Sequence, residues 1–551
     1  MPDDAFAVNE DKQGHATDQE HHHLGKKDDS SKPAFKPASK QPAPAQVRGI
    51  PAPGPVPERS GGAHDQEHAP GEPAPVVVEP ANAETRLVRV TRYLASWAGP
   101  LDPLPAIDVV RWATNLIGTF IDGRAAAGGA PVFRMHIGLP VVVLTDHTSA
   151  KFFLGSPSAD LDREDFKRFG PLGVPATLVK QAMPSLVASD ANGHKLDRAY
   201  TVALMHSRFG HVEDALRQSQ QMVYDDFLPA LLRHPDRYTI GDVATKFAGQ
   251  FMFKWLLDTT PPSLKAMTTY IPDVVSDLQT SNWLGGLLGT VACTLKLAAS
   301  HSKALSEEGL DIIRHSDLYE PYRKMALALE YTTDDLDRWL QFLIQFNGIA
   351  GIGLPLASAI AMLSEQRSTL DDLRREIGND PLRFDTVDRY PLLESFAYEW
   401  QRFFLRPTII FKKAMKDLQV PSTGGPLYQV RKGDLICAAL PLCLRDDAVF
   451  GEAAGQFNAR RFLDNPSLKS QVFTFGFVDA AHDPAPQTAR FGCALYSAGV
   501  GLALFKILIG TWIQRVDWEC DQEISFAGKY TGDYGPLTAK FKSVKRRQPQ
   551  H

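Results

Sequence analysis

The sequence predicts a mainly α fold with small β-sheets, an α+β domain carried behind a disordered N-terminal tail. Three observations carry that expectation. Residues 1–88 are crowded with Pro, Lys, Asp, Glu and His and hold too little apolar material to form a core. Between residues 190 and 365 the apolar positions recur mostly at helical spacing. Strand-like runs are short, few and expected to be local. The expected organisation is therefore a Pro-rich tail over 1–88 and one folded domain over 89–551.

Taken in order, residues 33–57 and 70–80 read as extended, solvated linker because prolines dominate them. Residues 106–124 have helical spacing, with Val109, Val110, Trp112, Ile117 and Phe120 apolar. Two short strands follow, over 132–137 and 141–144, joined at Gly138-Leu139-Pro140. Helices then continue with turns at Pro235, Pro261-Pro262 and Thr332-Thr333. Residues 334–365 read as one long helix, and residues 391–402 as an amphipathic one. Leu427–Val430 and Leu435–Ala439 read as a strand pair. A loop over 479–488, barred from helix by Pro484 and Pro486, ends at Cys493, and an apolar helix opens at Ala494.

A chain of 551 residues with a formal net charge of −5 gives no electrostatic argument for a nucleic-acid partner. The five cysteines, Cys293, Cys437, Cys443, Cys493 and Cys520, are scattered and show no zinc-type spacing. A reducing compartment suits them. The first twenty residues are polar and acidic, without the apolar core of a signal peptide. The most apolar stretch, 498–512, is interrupted by Lys506 and shorter than the roughly 20 residues that cross a bilayer. The expectation is a soluble, cytoplasmic protein without a transmembrane anchor, with peripheral membrane contact left open.

Three places carry chemistry. Cys493 opens a helix, where the dipole and free backbone N–H groups stabilise a thiolate and tune a metal-bound sulfur. A merely buried cysteine is the plain alternative. Glu399 and Arg402 stand three apart on one helical face. With Phe396, Trp400, Phe403 and Phe404 around them the pair reads as internal. A buried Glu399 then needs a further donor, for which Arg461 is the candidate. Finally, Gly348, Gly351, Gly353 and Pro355 interrupt the long helix. That composition suits a kink or the close approach of a flat ligand as well as it suits tight helix packing.

ExxR on a helix, a later Phe-x-x-x-Arg-Phe (Phe457 to Phe462), then a cysteine opening a helix: this ordered set resembles the cytochrome P450 superfamily, from about residue 95 onward. Arg445-Asp446-x-x-x-Phe450 and His194-x-x-x-Arg198 are similar to further family segments. The resemblance implies a P450 fold and haem b with Cys493 as the axial thiolate ligand of the iron. It also implies His194, Arg198 and Arg490 at the haem, and Glu399, Arg402 and Arg461 as a structural triad. Leu495 departs from the family's usual glycine, and Arg490 lies one position further from the cysteine than the pattern expects.

Residues 345–355 resemble one branch in particular. A monooxygenase normally places an acid and an alcohol there to deliver protons to iron-bound dioxygen. Between Gln345 and Leu356 this chain has no Asp, Glu, Ser or Thr. It has one amide, Asn347, which donates and accepts but supplies no protons. Phe346-Asn347-Gly348 with the later Leu354-Pro355 is similar to the allene oxide synthase and hydroperoxide lyase branch, as is the long loop before Cys493. The resemblance implies an enzyme that rearranges or cleaves a fatty acid hydroperoxide without O2 or a reductase. Asn347 would then orient the peroxide, with Phe166, Phe169 and Phe346 as substrate-facing candidates. The O–O bond would break homolytically and the alkoxy radical close to an epoxide radical. Oxidation and proton loss then give an allene oxide, scission gives aldehydes, and hydroxyl return gives an epoxyalcohol. A monooxygenase acting on a lipophilic substrate with a redox partner is the second reading, and a non-catalytic haem- or lipid-binding protein the third.

Overall fold

The computed structural model describes residues 76–77, 116–136, 140–157, 159–162, 204, 207–260, 307–344, 351–404, 409–472, 500–520 and 539–547. Helices dominate these. The first are α1 (Leu116–Ala126), α2 (His147–Gly155), α3 (Val212–Met222), α4 (Leu228–Arg233) and α5 (Ile240–Leu257). Then come α6 (Glu307–Arg314), α7 (Tyr319–Ala328), α8 (Thr333–Phe342), α9 (Gly351–Glu365), α10 (Arg367–Ile377) and α11 (Pro391–Phe403). Three short helices, α12 (Leu440–Cys443), α13 (Asp447–Phe450) and α14 (Arg461–Asp464), precede the long α15 (Val500–Arg515).

Local chemistry explains where several of these begin. Thr239 and Asp242 form a reciprocal capping box at the start of α5, and Thr332 and Asp335 do the same for α8. Pro391 opens α11 at a position whose N–H would be unpaired in any case. The N–H groups of Leu392 and Leu393 donate to the Glu376 carboxylate of α10, at 2.7 and 2.8 Å. α5 is buried almost all round, as its apolar sequence requires, and α9 lies directly against it. Gly353 faces α5 there, its Cα side toward the backbone of Ala244 and Thr245. The lysine in the apolar helix α15 is also accounted for: buried Lys506 bonds Asp388 at 2.6 Å.

The strands are β1 (Val76–Val77), β2 (Val132–His136), β3 (Pro140–Leu144), β4 (Leu161–Asp162), β5 (Ile409–Ala414), β6 (Leu418–Pro421), β7 (Leu427–Val430), β8 (Leu435–Ala439), β9 (Val516–Cys520) and β10 (Phe541–Arg546). They form a mixed sheet in the order β2-β3-β8-β5-β4, a three-stranded sheet β1-β7-β6, and the ribbon β10-β9. Here the structure corrects two expectations. The strands are not all local, since β3 pairs in parallel with β8 across almost 300 residues. β7 and β8 are also not partners of one another. β7 pairs with β6 through a turn holding Gly424 and Gly425 at φ 92° and 102°, while β8 pairs with β3 and β5. The burial pattern shows why. β8 and β3 are buried on both faces and need central positions, whereas β7 alternates. Val142 and Leu144 face one core cluster and Val141 and Val143 another, which is why that strand reads as an uninterrupted apolar run.

Two helical expectations fall partly outside the described residues. The long helix of residues 334–365 is described as α8 continuing to Ile344, then α9 from Gly351 with Pro355 inside it. Of the helix expected over 106–124, the structure describes the part beginning at Leu116. Within the stretch read as solvated linker, Val76 and Val77 pair in parallel with Tyr428 and Gln429.

One polar cluster ties α2 to the β6–β7 turn and to the residue that caps α13. Asp146 caps Ser149 N–H at 2.9 Å and accepts from Thr423 N–H at 3.1 Å, while Asp446 accepts from His147 N–H at 3.0 Å and Thr423 Oγ1 at 2.8 Å. His147 Nε2 meets the Gln471 carbonyl at 2.8 Å. Burial pulls the His147 pKa below its usual 6.5, against the raising effects of the Gln471 carbonyl and of Asp446 and Asp146. A base with a lowered folded pKa contributes stability that is whole above the unfolded value and lost as pH falls through the folded one. Acidification from pH about 7.5 to about 5 is therefore expected to lower the denaturation midpoint of wild type more than that of His147→Gln. Equal pH dependence in the two proteins would remove His147 from the acid limb.

Candidate active site

The arrangement resolved in most detail is the triad. Glu399, on α11, is fully buried, and so is Arg402 one turn later. They form a two-bond fork, Arg402 Nε to Glu399 Oε2 at 2.7 Å and Nη2 to Oε1 at 2.8 Å. Arg461, the first residue of α14, brings its Nε within 3.2 and 3.1 Å of the two Glu399 oxygens. The Asn458 N–H donates to Oε1 at 2.8 Å. The carboxylate is thus held by two guanidiniums and one backbone amide, which answers the need for an additional donor that burial creates.

The guanidiniums do more than neutralise it. Arg402 places its remaining N–H groups on the carbonyls of Leu444, Ala454 and Gln456, at 2.7, 2.8 and 3.2 Å. With the two bonds to Glu399, all five of its N–H donors are used. Arg461 donates to the carbonyls of Phe450, Ala453 and Gln456. The segment from 444 to 456, built of turns around the single-turn helix α13, is thereby clamped to α11. Arg445 and Phe450 complete the clamp: the Arg445 guanidinium carbon lies 3.9 Å from the centroid of the Phe403 ring, and Arg402 lies 5.1 Å from that of Phe450.

Ser395 is a member of this site that sequence reasoning missed. Its hydroxyl, buried on α11, accepts from the Phe462 and Leu463 N–H groups at 3.1 and 2.9 Å and so caps α14 from outside. α14 has no side-chain cap of its own. The only signal available was a serine one turn before Glu399. Ser395→Ala is expected to lower stability by about 1–2 kcal/mol, the usual cost of a lost cap, with haem content kept. Denaturant titration at constant slope measures it, and an unshifted midpoint would show the cap to be dispensable.

Beside the triad, a cavity opens between three helices. Gly351, Ile352 and Pro355 of α9, Trp400 and Gln401 of α11, and Gly501, Leu504 and Phe505 of α15 line it. These helices are the ones that flank Asn347, carry ExxR, and follow Cys493 in the sequence.

Comparison with known proteins agrees with this geometry. A family model described as cytochrome P450 matches residues 343–477, which span α9, the triad and the clamped segment. The chain is also 69% identical over 557 aligned residues, all of both chains, to a protein of Plasmodiophora brassicae named mitochondrial hydroperoxide bicyclase. The chain belongs to the cytochrome P450 family. An epoxyalcohol synthase of Ectocarpus siliculosus is 30% identical over 81% of this chain and 96% of its own length. A chloroplastic linolenate hydroperoxide lyase of Arabidopsis thaliana is 34% identical over 24% of this chain and 28% of its own. The branch to which the sequence was assigned, that of hydroperoxide-rearranging P450 enzymes, is therefore the right one.

P450 membership implies haem, and the described residues fit it. The cavity wall is apolar and rich in glycine, as a flat porphyrin requires. It also holds a buried polar atom with no partner among the described residues, the Trp400 indole nitrogen. Of the residues assigned from the sequence, Glu399, Arg402 and Arg461 are brought together as expected. Cys493, Asn347, Phe346, His194, Arg198, Arg490, Phe166 and Phe169 lie outside the described residues.

Proposed function

We propose that this P450 isomerises a polyunsaturated fatty acid hydroperoxide to a bicyclic product. The observation that carries this reading is the full-length, 69% identity to a hydroperoxide bicyclase. Bicycle formation was not among the fates weighed from the sequence. It extends them by a second ring closure after the epoxide, with the carbon chain intact. When bound, a thiolate-ligated haem supplies the one-electron chemistry that splits a peroxide O–O bond.

The chain's own residues do the rest. Cys493 would hold the iron through its thiolate, and His194, Arg198 and Arg490 would hold the propionates. Asn347 would donate its amide N–H to a peroxide oxygen and accept a hydrogen bond from the hydroperoxide O–H at its carbonyl oxygen. It neither gains nor loses a proton overall, which suits an isomerisation in which the product keeps every atom of the substrate. The absence of Asp, Glu, Ser and Thr between Gln345 and Leu356 removes the relay that O2 chemistry needs and leaves the hydroperoxide chemistry untouched. Ile352, Pro355, Leu504 and Phe505 give an apolar wall that keeps water from intercepting an open-ring intermediate. Phe346, Phe166 and Phe169 are assigned to the substrate side of the pocket.

The test is turnover of a defined hydroperoxide by purified holoprotein without NADPH or reductase, using substrate labelled with 18O in both peroxide oxygens. Retention of both labels in a cyclic isomer is expected. Turnover only with an electron donor would replace this reading by the monooxygenase one, and aldehydes or a simple epoxyalcohol would redirect the product assignment. No helix among the described residues is long and apolar enough to cross a membrane. The name of the Plasmodiophora brassicae relative points to the mitochondrion rather than to the cytoplasmic location expected from the sequence. Subcellular fractionation decides between them.

A further inference from the structure

The C-terminal strand β10 turns Phe541 and Val544 into the helical core and leaves Lys542, Lys545 and Arg546 exposed, with Arg547 following half-buried. A bridge between Thr239 and Lys540, and the bond from Ile240 N–H to the Ala539 carbonyl at 2.9 Å, fasten this strand beside the start of α5. The end of α4 and the turn Pro235–Arg237 pack against the same strand and add exposed Arg233 and Arg237. Two segments 300 residues apart in sequence thus build one basic surface.

Among the described residues its charges meet backbone carbonyls at most, Arg546 that of Tyr224 at 3.5 Å and Arg233 that of Pro229 at 3.2 Å. Arg233, Arg237, Lys542, Lys545, Arg546 and Arg547 make no ion pair with any described carboxylate. Asp517, opposite Lys545 in the ladder, is bonded by Arg374 instead. Asp236, Asp517 and Glu519 are the only acids on α4, the turn, β9 and β10, in a chain whose net charge is −5. Like charges held on adjoining elements repel, and the fold gains nothing internally from keeping them together.

We propose that this face docks the enzyme on an anionic phospholipid surface. The choice among anionic partners follows from what the patch lacks. No exposed aromatic on these elements offers a base a stacking platform, because Phe541 and Trp518 point inward. No exposed apolar side chain offers a protein partner an anchor, since Val544 is buried as well. A surface on which five exposed cations outweigh the exposed acids Asp236 and Glu519 matches a sheet of phosphate headgroups, and it brings the enzyme to where an amphiphilic hydroperoxide partitions. That last point rests on the function proposed above; the charge argument does not.

Each cation near an anionic bilayer contributes about fivefold in partitioning at physiological salt, within a Debye length of about 8 Å. Full-length holoprotein should therefore co-sediment with vesicles of phosphatidylcholine containing about a third phosphatidylglycerol, and not with phosphatidylcholine alone. High salt should release it. The triple variant Lys542→Glu, Lys545→Glu, Arg546→Glu should lose at least a hundredfold in partitioning, with its Soret spectrum and its turnover of detergent-dispersed hydroperoxide unchanged. Equal binding of wild type and variant, or no binding by wild type, overturns the proposal. Equally tight, salt-matched binding to a DNA duplex would overturn the assignment to lipid. Vesicle binding by a protein inactive on every hydroperoxide would leave the docking surface standing and sink the activity.

Discussion

Arg402→Ala is expected to abolish haem retention and to lower the denaturation midpoint more than any other single change in the described residues. Wild-type Arg402 is fully buried and spends all five N–H donors, two on Glu399 and three on backbone carbonyls. Removing it leaves Glu399 with Arg461 and one amide as its remaining partners, and strands the Leu444 and Ala454 carbonyls in a dry interior. Breaking a buried pair by deleting one partner costs about 3–5 kcal/mol. That is a large part of a typical domain's total of roughly 5–15 kcal/mol. The clamped segment 444–456 runs on through α14 to the loop that ends at Cys493, so its release should be read first as lost haem. Arg402→Lys keeps the charge but not the fork, and should fall between the two. Haem per polypeptide and denaturant titration measure both effects. A wild-type Soret ratio in Arg402→Ala would show that the clamp does not govern haem binding.

Asn347→Ala is the second. If this amide orients the peroxide, its loss should lower kcat/KM for the hydroperoxide by about 10²–10³, the usual cost of one preorganised donor in a dry site. Haem content and the thiolate-type spectrum should stay as in wild type, because Cys493 is untouched. Asn347→Gln, with the same amide on a longer stem, should restore little, since misplacement by about 1 Å already costs on the order of a hundredfold. Unaltered kinetics in Asn347→Ala would move the orienting role elsewhere. Loss of haem with loss of rate would make the residue structural.

The two experiments draw on different links between sequence and function. Asn347 stands out in one dimension, as the single amide between Gln345 and Leu356, a stretch without acids or alcohols. Arg402 stands out in the sequence only as half of an i,i+3 pair, which on most helices is a solvated ornament worth a few tenths of a kcal/mol. Its aromatic neighbours signalled burial correctly. Nothing local could say that three carbonyls some fifty residues downstream would take its remaining donors. Ser395 and Glu376 were invisible for the same reason, since each caps a helix that is not its own.

By itself the sequence determined the family, the hydroperoxide-acting branch, the helical class and the members of the triad. Those rest on residue types at short spacings, and a helix face is written in neighbours three and four apart. Tertiary structure alone decided which strands pair, that β7 and β8 part company into separate sheets, and that Arg233 and Arg237 join Lys542, Lys545 and Arg546 on one surface. Strand partners and charged surfaces depend on what covers each face, and that covering comes from chain hundreds of residues away.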